Sequence, residues 1–245
     1  MFFPEIFNLG KAFKQYFEIV PAFSDALKDE VFRVRHQVFC EELAFEPVRS
    51  DRREIDEYDA HSIHILIRSL KTGTFVGCTR IVRARPEDLL YPLPFENICR
   101  EALDRAIVDP AKLPRETISE VSRLAVIAQF RRRKDQEKGS SIPLSDTDYG
   151  TQEQPRFPYI PVSLYLAATE LARLNGIRTC FVLTEERLAR HFRKIGFEPQ
   201  TIGAAVEHRG KRIPSMMSPT AVVKNLKIIL RPLYRAVAAD IANNL

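Results

Sequence analysis

The sequence is poor in cysteine and has no long apolar run. Only four cysteines occur in 245 residues, and no two of them have a Cys-x-x-Cys spacing: Cys40, Cys78, Cys99 and Cys180. This scarcity excludes a disulfide-rich secreted scaffold and a zinc ribbon, and it predicts reduced thiols in a cytoplasmic protein. No stretch approaches the roughly 18 consecutive apolar residues of a membrane span. Residues 1–4 lack the basic start of a signal peptide.

Glycine is also scarce, and it is missing from the most basic segment. Residues 129–134 read Gln-Phe-Arg-Arg-Arg-Lys, and no glycine follows before Gly139. A basic run without glycine cannot wrap its backbone closely around a pyrophosphate. The side chains can still contact a phosphopantetheine phosphate or an acidic helix of a carrier protein. These side chains are Arg131, Arg132, Arg133 and Lys134. The alternative is a solvated basic loop.

The composition is that of a globular protein with a basic balance. Hydrophobic residues make up 45% and charged residues 28%, with a formal net charge of +5. A chain of this length can form one domain with a sizeable core. The basic balance favours nucleic acid, anionic lipid or an acidic carrier protein as partner. Residues 131–138 lack the interleaved aromatics typical of nucleic-acid readers, so we do not expect nucleic acid. The histidines and cysteines show no metal-ligand spacing, so no metal is expected either.

Hydrophobic periodicity predicts an alternating α/β chain. Strands are predicted at 16–22, 61–69, 75–82, 119–128 and 179–183, with further strands between 197 and 217. Helices are predicted after a Ser24 cap, at 96–107, at 161–175, after a Thr184 cap up to Gly196, and at 219–245, interrupted by Pro232. Residues 129–156 are polar and predict a loop.

Three carboxylates and three arginines form the densest polar pattern. Glu54, Asp56 and Asp59 fall within six residues, whereas Arg35, Arg80 and Arg123 each interrupt an apolar segment. A buried guanidinium needs a partner or a ligand. The pattern therefore predicts an ion network over a cleft, in which one or two members face substrate. An arginine would bind a carboxylate there, and an aspartate an ammonium. The alternative for the acidic residues is a solvated loop.

These residues resemble known signatures. The ordered set Arg35, Phe39, Phe45, Glu54, Asp56, Asp59, Arg80 and Glu120-x-x-Arg123 resembles the signatures of the acyl-homoserine-lactone synthases, with Phe45 where that family usually has Trp. Residues 16–216 as a whole are similar to the PEP-CTERM/exosortase system-associated acyltransferases of bacteria, relatives of the N-acyl amino acid synthases. The matching stretches are Tyr16–Ala22, Arg33–Phe39, Glu57–Ser62, Ser122–Val126 and Phe130–Arg133. Leu188–Phe197 resembles the closing turn of the GNAT superfamily.

The resemblance implies a fold and a division of the chain. The expected fold is the GNAT-like acyl-CoA N-acyltransferase fold, an α/β (α+β) architecture. It has a mixed, mostly antiparallel sheet, splayed at the centre, with helices on both faces. We expect an N-terminal extension (1–15), an acyltransferase domain (16–217) containing a mobile basic loop (129–156), and a C-terminal amphipathic helix (218–245).

The resemblance also implies the chemistry. A thioester would lie where two parallel strands separate, and an amine would attack its carbonyl. Glu120 is the candidate base that deprotonates the amine. A purely structural pairing of Glu120 with Arg123 or Arg80 is equally open. Arg35, Phe39, Phe45, Glu54, Asp56, Asp59, Arg80 and Arg123 are candidate substrate-binding residues, although the two phenylalanines are more often core. Phe192 stands where many GNAT enzymes have a tyrosine acid, and it has no hydroxyl.

The function implied is transfer of a fatty acyl group to the amine of an amino acid or similar acceptor. Acyl-ACP is the expected donor ahead of acyl-CoA, with no permanently bound cofactor. One alternative is an acyl-homoserine-lactone synthase using S-adenosylmethionine. Another is a catalytically silent GNAT-like binding module. The C-terminal helix could contact the inner face of the membrane, although packing on the domain is the commoner fate of such a helix.

Overall fold

The computed structural model describes residues 9–85, 87–131 and 159–245. The strands are β1 (Phe17–Pro21), β2 (Ser62–Ser69), β3 (Phe75–Arg83), β4 (Ile118–Val126), β5 (Thr179–Thr184), β6 (Gln200–Thr201), β7 (Val206–Glu207) and β8 (Lys211–Met217). The helices are α1 (Leu9–Tyr16), α2 (Asp25–Arg35), α3 (Pro94–Ile98), α4 (Ala128–Arg131), α5 (Tyr159–Leu174), α6 (Glu186–Ile195), α7 (Pro219–Asn225) and α8 (Arg231–Ala242). A π-helix, His36–Glu42, continues α2.

The strands form one mixed sheet in the order β1-β2-β3-β4-β5-β8-β6, and β7 pairs with β8. All neighbours are antiparallel except β4 and β5, which run parallel. Alternating isoleucines on β2, Ile63, Ile65 and Ile67, pack with α5 and α8 in the main core. The opposite face packs against α2 through Val31 and Val34. The predicted mixed sheet with helices on both faces is confirmed.

The parallel pair separates along its length. β4 and β5 pair from Ile118 opposite Thr179 to Val121 opposite Val182. β4 continues to Val126 in contact with β3, so its second half has no β5 partner within these described strands. Backbone N–H and C=O groups released by such a separation are available to a ligand. The splay predicted at the centre of the sheet therefore lies after Val121.

A β-bulge marks the same place on the β3 side. The register shifts between Cys78 and Arg80, which face Ala125 and Ser122 respectively. Arg123 takes up the extra residue with a φ of 54°. A left-handed conformation costs a non-glycine residue about 1 to 2 kcal/mol. Such strain persists only where surrounding contacts fix it, and it concentrates at functional sites.

The C-terminal segment packs onto the domain. Pro232 lies in the first turn of α8 and begins a second helix, whereas the sequence had predicted one helix interrupted there. The apolar residues Leu226, Leu230, Leu233 and Val237 are buried in the main core with α1 and α5. Most of the apolar face that the sequence offered to a membrane is therefore covered by the domain, whereas Ile228 and Ile229 stay exposed. No helix within the described residues is long and apolar enough to cross a membrane.

Two local predictions were wrong. The helix predicted at 96–107 ends at Ile98, because the following residues turn to bond the segment after β6. There Asp104 N donates to Ile202 O at 2.9 Å and Ala204 N donates to Ala102 O at 2.8 Å. Thr184 does not cap α6, since it is the last residue of β5 and Glu185 takes the N-cap position. The Ser24 cap of α2 is confirmed by a 3.3 Å bond from Leu27 N to its hydroxyl.

Candidate functional site

A cleft opens where β4 and β5 separate. Its cavity volume is about 110 Å³, and it is open to solvent. Its walls come from β4, β5, α5, the π-helix and the β7–β8 hairpin. The lining includes Phe39, Phe45, Glu120, Val121, Arg123, Tyr165, Val182, Thr184, His208, Arg209 and Arg212. Both phenylalanines named from the sequence thus lie at the cleft, and the exposed part of the ion network reaches it through Arg123.

The six predicted charged residues meet in one network beside the cleft. Arg35 pairs with Glu54 and, at 2.6 Å, with Asp59 Oδ1. Arg80 Nη1 contacts Asp56 Oδ1 and Asp59 Oδ1, both at 2.6 Å. Arg123 Nη2 contacts Asp56 Oδ2 at 2.9 Å and Glu54 Oε1 at 3.3 Å. Three guanidinium groups face three carboxylates, so the network carries no net formal charge.

Burial divides this network into an inner and an outer part. The side chains of Arg35 and Arg80 are 0% and 1% exposed, whereas those of Asp56 and Arg123 are each 17% exposed. Burial acts to raise the pKa of Asp56, but the hydrogen bond and charge of Arg80 outweigh it and lower the pKa to about 2. The inner arginines hold the loop in place. Asp56 and Arg123 are the partly exposed members, and Arg123 lines the cleft.

Glu120 lies on β4 at the start of the splay. It is 3% exposed, and its Oε2 accepts a 2.7 Å hydrogen bond from the backbone N–H of Phe95 on α3. Burial raises its pKa to about 7, although the Phe95 hydrogen bond and the charges of Arg80 and Arg123 act in the opposite direction. No direct salt bridge joins Glu120 to either arginine within the described residues. A carboxylate with a pKa near neutrality is suited to accept and release a proton.

Two polar residues of the cleft were not identified from the sequence. Tyr165 on α5 packs edge-on against Phe192 at 4.5 Å between ring centroids, and burial raises the pKa of its phenol. Thr184 is 3% exposed, and its hydroxyl has no hydrogen-bond partner among the described residues. Tyr165 falls within an apolar helix and Thr184 at a strand end, so neither position pointed to a site before the elements were packed together.

The β7–β8 hairpin adds three further cleft residues, His208, Arg209 and Arg212. Arg209 has a φ of 52° and pairs with Glu46, which follows Phe45. Arg212 Nη2 contacts Glu185 Oε1 at 3.2 Å. Burial, then the charges of Arg123 and Arg212, lower the pKa of His208. Only further strands between 197 and 217 were predicted here, and the sheet order is what brings their turn to the cleft.

The basic segment predicted to meet a carrier lies mostly outside the described residues. This holds for Arg132, Arg133, Lys134 and the side chain of Arg131. The N–H of Ala128, the first residue of α4, donates to both carboxylate oxygens of Glu42, at 2.9 and 3.1 Å. An internal carboxylate therefore occupies this helix start, where a phosphate could otherwise bind. Within the described part of the chain, no group of three or more acidic, histidine or cysteine side chains could hold a metal ion.

Comparison with known proteins identifies similarity to acetyltransferases and to synthases of acyl-homoserine lactones. The profile of the acetyltransferase (GNAT) domain matches residues 34–137. An acyl-homoserine-lactone synthase of Pseudomonas aeruginosa is 22% identical over 87% of this chain and 90% of its own length. BjaI, a CoA-dependent acyl-homoserine lactone synthase solved with SAM and isopentyl-CoA, has a TM-score of 0.54 at 17% identity, covering 94% of this chain and 89% of its own.

A second similar solved structure is that of an enzyme with a different activity. FeeM, an N-acyl amino acid synthase from uncultured soil microbes, has a TM-score of 0.53 at 14% identity, covering 87% of this chain and 96% of its own. The fold of this chain is therefore that of the GNAT-like acyltransferases. It is an acyltransferase, similar in sequence to an acyl-homoserine-lactone synthase.

Proposed function

We propose that this protein transfers a fatty acyl group from acyl-ACP to the amine of an amino acid or similar acceptor. The observation that carries the proposal is the buried carboxylate of Glu120, with a pKa of about 7, at the strand splay of a GNAT fold. At neutral pH about half of such a group is ionised and ready to accept a proton. The position is within the cleft in which an acyl thioester would have to lie.

In the proposed reaction, the carboxylate of Glu120 takes a proton from the acceptor ammonium. The free amine attacks the thioester carbonyl, a C–N bond forms, and the C–S bond breaks. The nitrogen gives up a second proton as the amide forms, and the departing thiolate is protonated. Backbone N–H groups of β4 beyond Val121, free of β5, are suited to bond the oxyanion, a contribution of roughly 3 to 4 kcal/mol in known enzymes. Arg123, which lines the cleft, would contact the bound substrates.

The carrier-bound donor is the finer part of the proposal. The basic segment has no glycine to cradle a pyrophosphate, and the carboxylate of Glu42 occupies the backbone N–H of Ala128 at its start. Replacing Arg131, Arg132 and Arg133 with alanine should raise the KM for acyl-ACP more than the KM for acyl-CoA. Steady-state rates with both donors measure this. An equal rise for both would contradict docking of a carrier on this segment.

An acyl-homoserine-lactone synthase using S-adenosylmethionine is the second candidate. It is favoured by the curated relative, which covers most of the chain. The phenylalanine at position 45, where that family usually has tryptophan, favours the first candidate. An association with an exosortase-type surface system stays a prediction from the resemblance alone.

The deciding experiment is mass spectrometry of lipid extracts from cells that express the protein or its Glu120→Gln variant. We expect N-acyl amino acids with the wild type and none with the variant. Acyl-homoserine lactones would establish the second candidate. Purified protein incubated with acyl-ACP and a panel of amines guards against a host that lacks a substrate. Absence of any product there would contradict acyl transfer, and wild-type turnover by Glu120→Gln would remove Glu120 as the base.

We also propose that this enzyme is cytoplasmic and that it contacts anionic membrane. Ile228 and Ile229, between α7 and α8, are 76% and 39% exposed, and the cations Lys227 and Arg231 flank them. Cosedimentation with phosphatidylglycerol vesicles should exceed that with phosphatidylcholine vesicles, and Lys227→Gln with Ile228→Asn should abolish the difference. Lys211→Gln, at the exposed first residue of β8, is the control. Equal binding to both vesicle types would contradict the proposal.

A further inference from the structure

The β7–β8 hairpin brings positive charge to one wall of the cleft. His208 and Arg209 form its turn with Gly210, and Arg212 is the second residue of β8, the strand that returns along β5. All three side chains line the cleft, although β7 and β8 lie beyond β5 in the sheet order. The amine acceptor, the acyl donor or both must therefore pass this cationic wall.

The strand registers place Arg212 on the same face as Glu120. Phe181 is opposite Glu120 on one side and opposite Met216 on the other. Side chains two apart on a strand share a face, so Arg212 shares the face of Met216. Arg212 precedes Met216 by four residues on β8, which places the two about 13 Å apart at 3.3 Å per residue. Glu120 and Arg212 thus mark two ends of one face of the cleft.

Arg212 is held in place while part of its guanidinium stays free. Its Nη2 contacts Glu185 Oε1 and donates to the carbonyl oxygen of Arg209, each at 3.2 Å. Its side chain is only 11% exposed. Among the described residues, Nε and Nη1 of Arg212 have no partner. A fixed guanidinium with free donors is suited to bind a carboxylate through two hydrogen bonds.

His208 lines the cleft together with Arg123 and Arg212. The charges of Arg123 and Arg212 both act on it, and it has no carboxylate partner among the described residues. An anion placed beside His208 would be attracted by both arginines and could accept a hydrogen bond from the imidazole. The two arginines come from opposite lips of the cleft, β4 and the β7–β8 hairpin, so such an anion would lie across the opening.

We infer that Arg212 and His208 form a binding site for an anionic group, and that they take the carboxylate of the amine acceptor. This inference rests on the proposed function, because it assumes an amino-acid acceptor whose amine meets Glu120. It assigns the acceptor carboxylate to the β7–β8 hairpin, whereas the sequence pattern placed it at Arg35, Arg80 or Arg123. The acceptor would lie along one face of the cleft, between Glu120 and Arg212.

The test compares an amino acid with its primary amide, which keeps the amine and lacks the carboxylate. The probe is the amino acid most rapidly acylated in a panel of the common amino acids. Arg212→Gln should raise the KM for the amino acid about tenfold or more, the loss of one charge-assisted hydrogen bond. The KM for the amide and the KM for the acyl donor should stay within about twofold. Arg33→Gln, on an exposed ion-paired arginine of α2, is the matched control.

The other outcomes overturn the inference. A rise in the KM for the donor alone would assign the anion to the phosphate of the pantetheine arm. Unchanged KM values for the amino acid, the amide and the acyl donor would show that Arg212 binds neither the acceptor carboxylate nor the donor. If the wild type acylates no amine, the proposed function fails. Thermal-shift titration with the same panel then tests the anion-binding site by itself. A Tm rise with amino acids but not amides, lost in Arg212→Gln, would still support the site, and its absence would refute it.

Discussion

Replacing Glu120 with glutamine should make the protein more stable at alkaline pH while removing its activity. Burial raises the pKa of Glu120 from 4.5 to about 7. A carboxyl whose pKa is raised by folding contributes stability below pH 4.5, and this contribution is lost as the pH rises to about 7. At 1.36 kcal/mol per pH unit, ionising Glu120 in the folded protein costs about 3 kcal/mol above pH 7.

Glutamine avoids this cost. It is neutral at every pH, and its side-chain oxygen can still accept the hydrogen bond from Phe95 N–H. The free energy of unfolding of Glu120→Gln should therefore approach that of the wild type near pH 4.5. It should exceed the wild-type value by up to about 3 kcal/mol at pH 8.

Urea unfolding of both proteins between pH 4.5 and 8.5 measures the difference. The exposed Glu116, four residues earlier, provides the control Glu116→Gln, whose difference from the wild type should not follow this curve. The wild-type kcat/KM should rise with pH through the same value, about 7, because the proposed base must be ionised. A stability difference that is independent of pH would refute the reasoning.

Two further predictions concern packing. Asp59→Asn should lower the free energy of unfolding by about 3 to 5 kcal/mol, because it leaves buried Arg35 and Arg80 short of one negative charge. Urea unfolding measures this loss, and Asp29→Asn, at an exposed ion pair, is the control. Equal losses in the two variants would contradict the prediction. Gly10→Ala places a Cβ 2.4 Å from Pro232 O and should cost about 1 to 3 kcal/mol by separating α1 from α8. A Tm no lower than that of Lys11→Ala would exclude this clash.

The sequence predicted those parts of the fold that depend on local pattern. The alternation of Ile63, Ile65 and Ile67 identified β2, and Ser24 identified the start of α2. The meeting of three acidic residues with three distant arginines could also be predicted, because a buried guanidinium has few other ways to be stabilised. These predictions need only residue type and spacing.

Features set by distant contacts could not be predicted. The bond between Asp104 and Ile202 ends α3 early, and nothing near residue 104 indicates it. The bulge at Arg123 depends on the register with β3. Arg212 reaches the cleft only because β8 inserts beside β5, so its role follows from sheet order and not from its neighbours in the chain.

The contact between α8 and β1 links the two ends of the described chain. Asp240 on α8 pairs with Lys14 and accepts a 2.9 Å hydrogen bond from the backbone N–H of Ile19, 221 positions earlier. β1 is an edge strand, and an uncovered edge can pair with another chain. During synthesis this edge stays exposed until residue 240 has left the ribosome. Until Asp240 covers it, the edge of β1 in the nascent chain is available to pair with another chain.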